Sequence, residues 1–304
     1  MLVSQPVFIL ASPFSFTSIV CAMLGQHPAG YAVPEINLFV SETIEELVLD
    51  MMGKRQILMH GLLRTIAQLY TGEQTIESID LARRWLKKRF PLTSGEVYWE
   101  LCKKVAPLRI IDKSPIYSNP QKPEILDRIT RTFPNAHYLY LLRHPRTQGQ
   151  SWLKIPTAPI ALIELDSLDY STTPPTIDPQ YAWYSKQKII LEFLATIPEP
   201  QKMQLRGEDI LNNPRLYLEK ICQWLNLPFD ENIYQTMLRT EESSYACMGP
   251  YGAQWGNNPG YQKSPTFQQR PVKNAQLSGP LPWRNDNTGF LPEVIELAQF
   301  FGYE

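Results

Sequence analysis

The sequence is poor in cysteine, histidine, unbalanced charge and long apolar runs, and each shortage excludes something. Its four cysteines, Cys21, Cys102, Cys222 and Cys247, lie far apart and form no CxxC pair. That argues against a disulfide framework or a thiolate metal site, and for reduced, mostly buried thiols in a cytoplasmic protein. The four histidines are scattered, so no metal is expected. Charge is balanced, 29 basic against 30 acidic side chains. This speaks against a general nucleic-acid binder while allowing a local basic site. No run approaches about 18 apolar residues, so no membrane span is expected. Met1 leads through Leu-Val-Ser-Gln-Pro into an apolar stretch, without the pattern of a signal peptide. The 304 residues suffice for a substantial core, as one large domain or two ordinary ones. Neither an internal repeat nor a separating linker is visible, which favours a single domain over 1–304.

The N-terminal region lacks glycine before Gly25 and lysine before Lys54. A Walker A loop, GxxxxGK[ST], is therefore absent. What stands there instead is PVFILASPFSFTSI, from Pro6 to Ile19. Val7 to Leu10 has the length and apolar character of a strand, which Ser12 and Pro13 break. Ser15, Thr17 and Ser18 then lead into a helix beginning near Ile19. Strand, small-residue turn and helix start make a P-loop-like layout. The first amides of a helix lack intrahelical acceptors and, with the helix dipole, form an anion site. The plainer reading is that Ser15 only caps a helix.

Further along, Gly30 to Glu35 reads as a second short strand. Helices are expected at Leu38–Met52, Gln56–Tyr70, Thr75–Phe90 (opening on TIES, a capping-box pattern) and Ser94–Ala106. Their basic run, Arg83, Arg84, Lys87, Lys88 and Arg89, reads as a solvated face. Four helices before the next strand make a helical insertion, about 38–106, of the kind that shapes a substrate pocket. Leu108–Ile111 and Ala136–Leu142 are strands, with a helix over Pro123–Phe133 between them and a short one through Ser151-Trp152 afterwards. Pro156–Pro179 is proline-rich and reads as an irregular, functional or mobile loop. A helix over Tyr181–Ile197, a brief strand at Met203–Leu205 and a helix over Pro214–Leu225 follow. Glu241–Asn287 reads as irregular, and Phe290–Phe301 as a closing helix. The fold class this predicts is α/β, a central parallel sheet with helices on both faces plus the helical insertion.

Ligands of open α/β sheets bind at the carboxyl ends of strands. The Ser15–Ser18 turn, Glu35, Lys113 and Arg143 all fall at strand ends. Arg143 and Ser151, eight residues apart, could grip one phosphate by charge and hydroxyl. Two anion grips suit a nucleotide with phosphates at both ends. His144, Trp152, Trp183 and Trp224 read as structural.

SPFSFTS, PEINLF, DKSPIYSNP, RHPRTQGQS and RGEDILNNP, in that order over about residues 6–226, resemble the PAPS-dependent sulfotransferases. The nearest resemblance is to the sulfotransferase domains inside modular polyketide synthases, of the curacin and cyanobacterial olefin synthase type. It implies PAPS (3′-phosphoadenosine 5′-phosphosulfate) as cofactor and sulfuryl donor. It also implies, as acceptor, a β-hydroxyacyl chain on an acyl carrier protein. A thioesterase would then drive decarboxylation with loss of sulfate, leaving a terminal alkene. By the same resemblance the turn Phe14–Ser18 (Phe14, Ser15, Phe16, Thr17, Ser18) would hold the 5′-phosphosulfate, and Arg143 with Ser151 the 3′-phosphate. Glu35 would be the general base, and Lys113 the lysine beside the transferring group. The chain could be free-standing or part of a megasynthase.

The sequence departs from the family where the turn usually reads P-[RK]-S-G-[ST]-[ST]. Phe14 replaces the cation and Phe16 the glycine, while Gly207 stands where an RYED-like motif has its aromatic residue. Three readings stand: Lys113 and the helix N-terminus carry the charge; another cation, with Arg206 as candidate, substitutes; or the domain binds nucleotide without catalysis. A P-loop-type kinase is the remaining alternative.

Overall fold

The computed structural model describes residues 3–269, 271–272 and 275–304. Met1 and Leu2, used in the leader reading, and Arg270, Lys273 and Asn274 of the 241–287 stretch lie outside the described residues. The strands are β1 (Val7–Ala11), β2 (Gly30–Ala32), β3 (Arg109–Asp112), β4 (His137–Leu142), the two-residue pair β5 (Leu168–Asp169) and β6 (Thr176–Ile177), and β7 (Lys202–Arg206). Five of them form a parallel sheet in the order β2-β3-β1-β4-β7. The expected fold class is the observed one.

Strand β1 is central and fully buried because every one of its residues is apolar. Alternation sends Phe8 and Leu10 to one face and Val7, Ile9 and Ala11 to the other. Helix α1 (Thr17–Gly25) and the helix Pro214–Trp224 cover the second face through Val20, Met23, Leu218 and Ile221. On the first face Phe8 meets Phe39, Tyr98, Phe133 and Tyr138 with ring centroids 5.6–6.2 Å apart. Phe39 and Tyr98 come from the helical insertion, so this aromatic cluster docks the insertion on the sheet. From β1 the chain crosses to the edge strand β2, returns to β3 and then passes to β4 on the other side of β1, which makes the carboxyl end of β1 the switch point where such sheets bind ligands.

Several expected elements differ. The helix expected over Leu38–Met52 is a 3-10 turn, Leu38–Val40, followed by a separate helix, Ile44–Asp50. Thr43 breaks it by making a capping box with Glu46, which starts a new helix. The helix expected from Gln56 starts only at His60, after a 3-10 stretch Gly53–Met59. Strand β2 stops at Ala32 instead of Glu35, because Pro34 has no N–H for the ladder. The stretch 156–179 is not irregular: it holds the helix Ala158–Glu164 and the β5–β6 ribbon. Leu162 is fully buried against Trp152 there, while Ile160 and Ile163 face outward. Short helices at Gly207–Asn212 and Glu231–Met237 carry no sequence-based expectation, and within the stretch 241–287, expected to be irregular, Pro259–Lys263 is a helix started by the Asn258 side chain.

Candidate active site

At the carboxyl end of β1 the chain turns through Ser12 and Pro13 into α1. Phe14 and Phe16 both adopt left-handed backbone, φ 65° and 60°. Phe16 is the residue preceding the helix, and no side chain caps it. Ser15 therefore does not act as the cap that the plainer reading assigned to it. Its side chain is fully buried, and among the described residues its hydroxyl has no hydrogen-bond partner. An uncapped helix N-terminus with an orphaned buried hydroxyl beside it fits an anion, the group whose acceptors would satisfy both.

This turn opens on a cavity of about 870 Å³, within the range of small-molecule sites. Phe14, Phe16, Thr17, Ser18, Glu35, Arg143 and Ser151 all line it. Glu35 Oε1 accepts from Lys113 Nζ at 2.6 Å. Lys113 is buried, 1% exposed, while the Glu35 side chain is 28% exposed and faces the cavity. The carboxylate is placed by backbone packing. Glu35 donates its N–H to the Gly256 carbonyl at 2.6 Å. A Cβ on Gly61 would stand 2.1 Å from the Glu35 carbonyl oxygen, and one on Gly256 2.6 Å from Gly61 Cα. Only glycine allows this approach, and Gly256 also needs it for φ 107°.

Next to Lys113, Asp112 is buried and accepts from the Ser114 hydroxyl at 2.8 Å and from Tyr117 at 3.0 Å. Burial outweighs these bonds and pushes its carboxyl up to about 7. Ser114 Oγ in turn accepts from the Asn37 N–H at 3.1 Å, so the network links β3 to the segment bearing Glu35. Arg143 donates to the Phe14 carbonyl at 2.5 Å and to Thr147 at 3.1 Å, and its guanidinium lies 4.3 Å from the Phe16 ring centre. Burial draws its pKa down.

The structure does not bring Arg206 to the cavity. Its guanidinium forms a two-pronged pair with Asp209 at 2.8 and 3.1 Å and donates to the Gly302 carbonyl at 2.6 Å. The candidate loop-cation substitute is committed elsewhere, because Asp209 sits three residues on in the same RGED sequence. Sequence reading missed the stretch 257–268, where Asn257, Asn258, Tyr261 and Phe267 line the cavity. Asn258 accepts from the Gly260 N–H at 2.8 Å and donates its own N–H to Ser18 Oγ at 3.4 Å. The local signal is NNPG, an Asn cap before Pro. Arg64, fully buried, straps this region to the insertion by donating to the Cys247 carbonyl at 2.8 Å and the Trp255 carbonyl at 3.4 Å.

A three-layer α/β protein with an uncapped strand–turn–helix at its switch point, beside a carboxylate–lysine pair, is the class that fold and site define. The chain belongs to the sulfotransferase family: the profile described as "Sulfotransferase family" matches residues 6–231. Two solved structures are similar along nearly their whole lengths. One is the sulfotransferase domain from the curacin biosynthetic pathway, 23% identical, covering 100% of this chain and 99% of that one, TM-score 0.77. The other is the sulfotransferase domain from the Synechococcus PCC 7002 olefin synthase, 23% identical, covering 99% and 95%, TM-score 0.74. Sulfotransferase STF9 from Mycobacterium avium is 14% identical, covering 100% and 78%, TM-score 0.53. A comparison with curated protein sequences finds no match. Among the described residues no helix is long and apolar enough to cross a membrane.

Proposed function

We propose that the protein moves the sulfuryl group of PAPS to a hydroxyl, and that this hydroxyl is the β-hydroxyl of an acyl chain on an acyl carrier protein. The observation that carries the reading is the Glu35–Lys113 pair, 2.6 Å long, with Glu35 lining the same cavity as the anion turn and Arg143. When bound, PAPS supplies an activated sulfuryl group on a phosphate leaving group. The uncapped α1 amides with Ser15, Thr17 and Ser18 hold its 5′ end. Arg143 and Ser151 hold its 3′-phosphate. Glu35 accepts the proton of the acceptor hydroxyl, a task for a carboxylate within hydrogen-bond reach. Lys113, bonded to Glu35 at 2.6 Å, keeps its carboxylate oriented toward the acceptor hydroxyl and adds positive charge beside the developing charge.

An acyl chain suits the other walls, where Leu58, Ile116, Ile155, Leu165 and Phe267 are apolar. The similar structures named after the curacin pathway and an olefin synthase support a carrier-bound acceptor. In this reading a thioesterase acts downstream on the sulfated chain, with decarboxylative elimination to a terminal alkene. Mass spectrometry of a β-hydroxyacyl carrier protein incubated with enzyme and PAPS tests the reading, with gain of one sulfuryl group expected. Absence of transfer, together with no calorimetric preference for adenosine 3′,5′-bisphosphate over ATP, overturns it.

A further inference from the structure

The anion turn carries no cation of its own. Phe14, at the position where the family has Arg or Lys, packs its ring against Trp152 with centroids 5.9 Å apart. Lys113 is held by Glu35 and Arg206 by Asp209. Among the described residues that line the cavity the cations are Arg143, Lys154 and Lys186. Arg143 is tied to the Phe14 carbonyl and Thr147, and Lys154 is exposed.

Lys186 is different. It lies on the helix Pro179–Ala195, which packs against β1, and is only 3% exposed, yet it lines the cavity. Its ammonium donates to the Ser118 carbonyl at 3.0 Å and the Pro115 carbonyl at 3.3 Å. These acceptors are neutral, and two bonds leave one of its three N–H groups over. Among the described residues no carboxylate pairs with it, and burial alone draws its pKa down to about 7. Taking an ammonium out of water without a counter-charge is unfavourable. A methionine of similar length would fill the same space without that cost. The place is informative too. Ser118, whose carbonyl Lys186 holds, donates its hydroxyl to the carbonyl of Ala11 at 3.2 Å. Ala11 ends β1, and the turn begins at the next residue. Lys186 therefore stands behind the anion turn, at the level of its first residues.

We propose that Lys186 binds the anionic 5′ end of the nucleotide, supplying from the helix behind the turn the positive charge that the turn lost at Phe14. This rests on the sulfotransferase reading above. The buried ammonium gains its missing counter-charge when the anion arrives, and a charge-assisted bond from a desolvated donor is among the stronger ones available to a site.

Calorimetry on the full chain with two probes tests this: adenosine 3′,5′-bisphosphate, which has a 5′ anion, and adenosine 3′-monophosphate, which lacks it. Lys186→Gln keeps a donor for the two carbonyls and removes the charge. Lys186→Met removes both. Each variant should bind the bisphosphate about tenfold or more weakly, the size of one charge-assisted bond, and the monophosphate within about twofold of wild type. Thermal melting should show both variants folded. Unchanged bisphosphate binding in Lys186→Gln overturns the assignment. An equal loss for both probes also overturns it, since it would mark Lys186 as a support for the 115–118 turn. If wild type itself has no preference for the bisphosphate over ATP, the sulfotransferase reading fails first, which is a separate outcome.

Discussion

Phe16 occupies the space that a side chain at position 207 would need. A Cβ built on Gly207 would stand 2.6 Å from Phe16 Cδ2 and 3.3 Å from the Leu142 carbonyl oxygen. The departures at positions 16 and 207 are thus sterically complementary, an exchange of bulk in which the ring on the turn fills the room beside Gly207 and stacks under Arg143 at 4.3 Å. Gly207→Ala should cost about 1–3 kcal/mol by overpacking. In a Phe16→Gly background, which the left-handed φ of 60° accepts, the same substitution should cost markedly less, leaving only the 3.3 Å approach to the Leu142 carbonyl. A double-mutant cycle on urea midpoints measures the coupling. Costs that add within about 0.5 kcal/mol would show that the two positions are independent and sink the exchange.

Glu35 should be separable from nucleotide binding. Glu35→Gln keeps an acceptor for Lys113 at the position now 2.6 Å away but cannot take a proton. Transfer should fall by about 10²–10⁴-fold. Affinity for adenosine 3′,5′-bisphosphate, read by calorimetry, should stay within about twofold, because the nucleotide is held by other groups. Full activity in this variant would remove Glu35 as the base.

What the sequence made legible here, and what it hid, follows from range. Strands β1 and β4 were readable because VFIL and YLYLL are apolar runs bounded by Pro, Ser or charge, which is a local signal. Glu35, Lys113 and Arg143 could be named because a parallel sheet collects its strand ends on one side, so three local readings became one place. Residues 257–268 and Lys186 could not. The former have no periodicity and reach the cavity only by folding back over α1. The latter sits in mid-helix, where burial depends on packing against the 115–118 turn. The break at Thr43 was missed although T-x-x-E is a local signature, because the apolar periodicity runs on across it. The Phe16–Gly207 exchange spans 191 positions and exists only as a steric fact.

Asp112 should give stability a pH dependence of known sign. Its folded pKa is raised by burial to about 7 from 3.8. As pH rises through that window, the unfolded chain releases a proton that the folded chain keeps. Deprotonation therefore favours unfolding, and the contribution is full below about pH 4 and lost by about pH 7, roughly 4 kcal/mol at most. Asp112→Asn stays neutral and should lack this fall. Urea midpoints of both proteins between about pH 4.5 and 7.5 check it. A constant difference between them would mean that the Ser114 and Tyr117 hydrogen bonds keep Asp112 ionised in the folded state.

Arg143 should decide whether the 3′-phosphate is recognised. It is half enclosed, with one nitrogen on the Phe14 carbonyl and another on Thr147, so its guanidinium is fixed at the cavity wall before any ligand arrives. A guanidinium held in this way gives up little rotamer freedom on meeting a phosphate, and its fork matches the oxygens. Arg143→Met should reduce affinity for adenosine 3′,5′-bisphosphate by about 10–100-fold and bring it close to that for adenosine 5′-phosphate. Because the same side chain anchors the Phe14 carbonyl, the turn must be checked independently. Arg143→Lys retains one donor for that carbonyl, so it should hold the melting temperature near wild type and still lose most of the preference for the 3′-phosphate. A variant that keeps the preference with Lys or Met at this position would assign 3′-phosphate recognition to other groups and leave Arg143 as a brace for the turn.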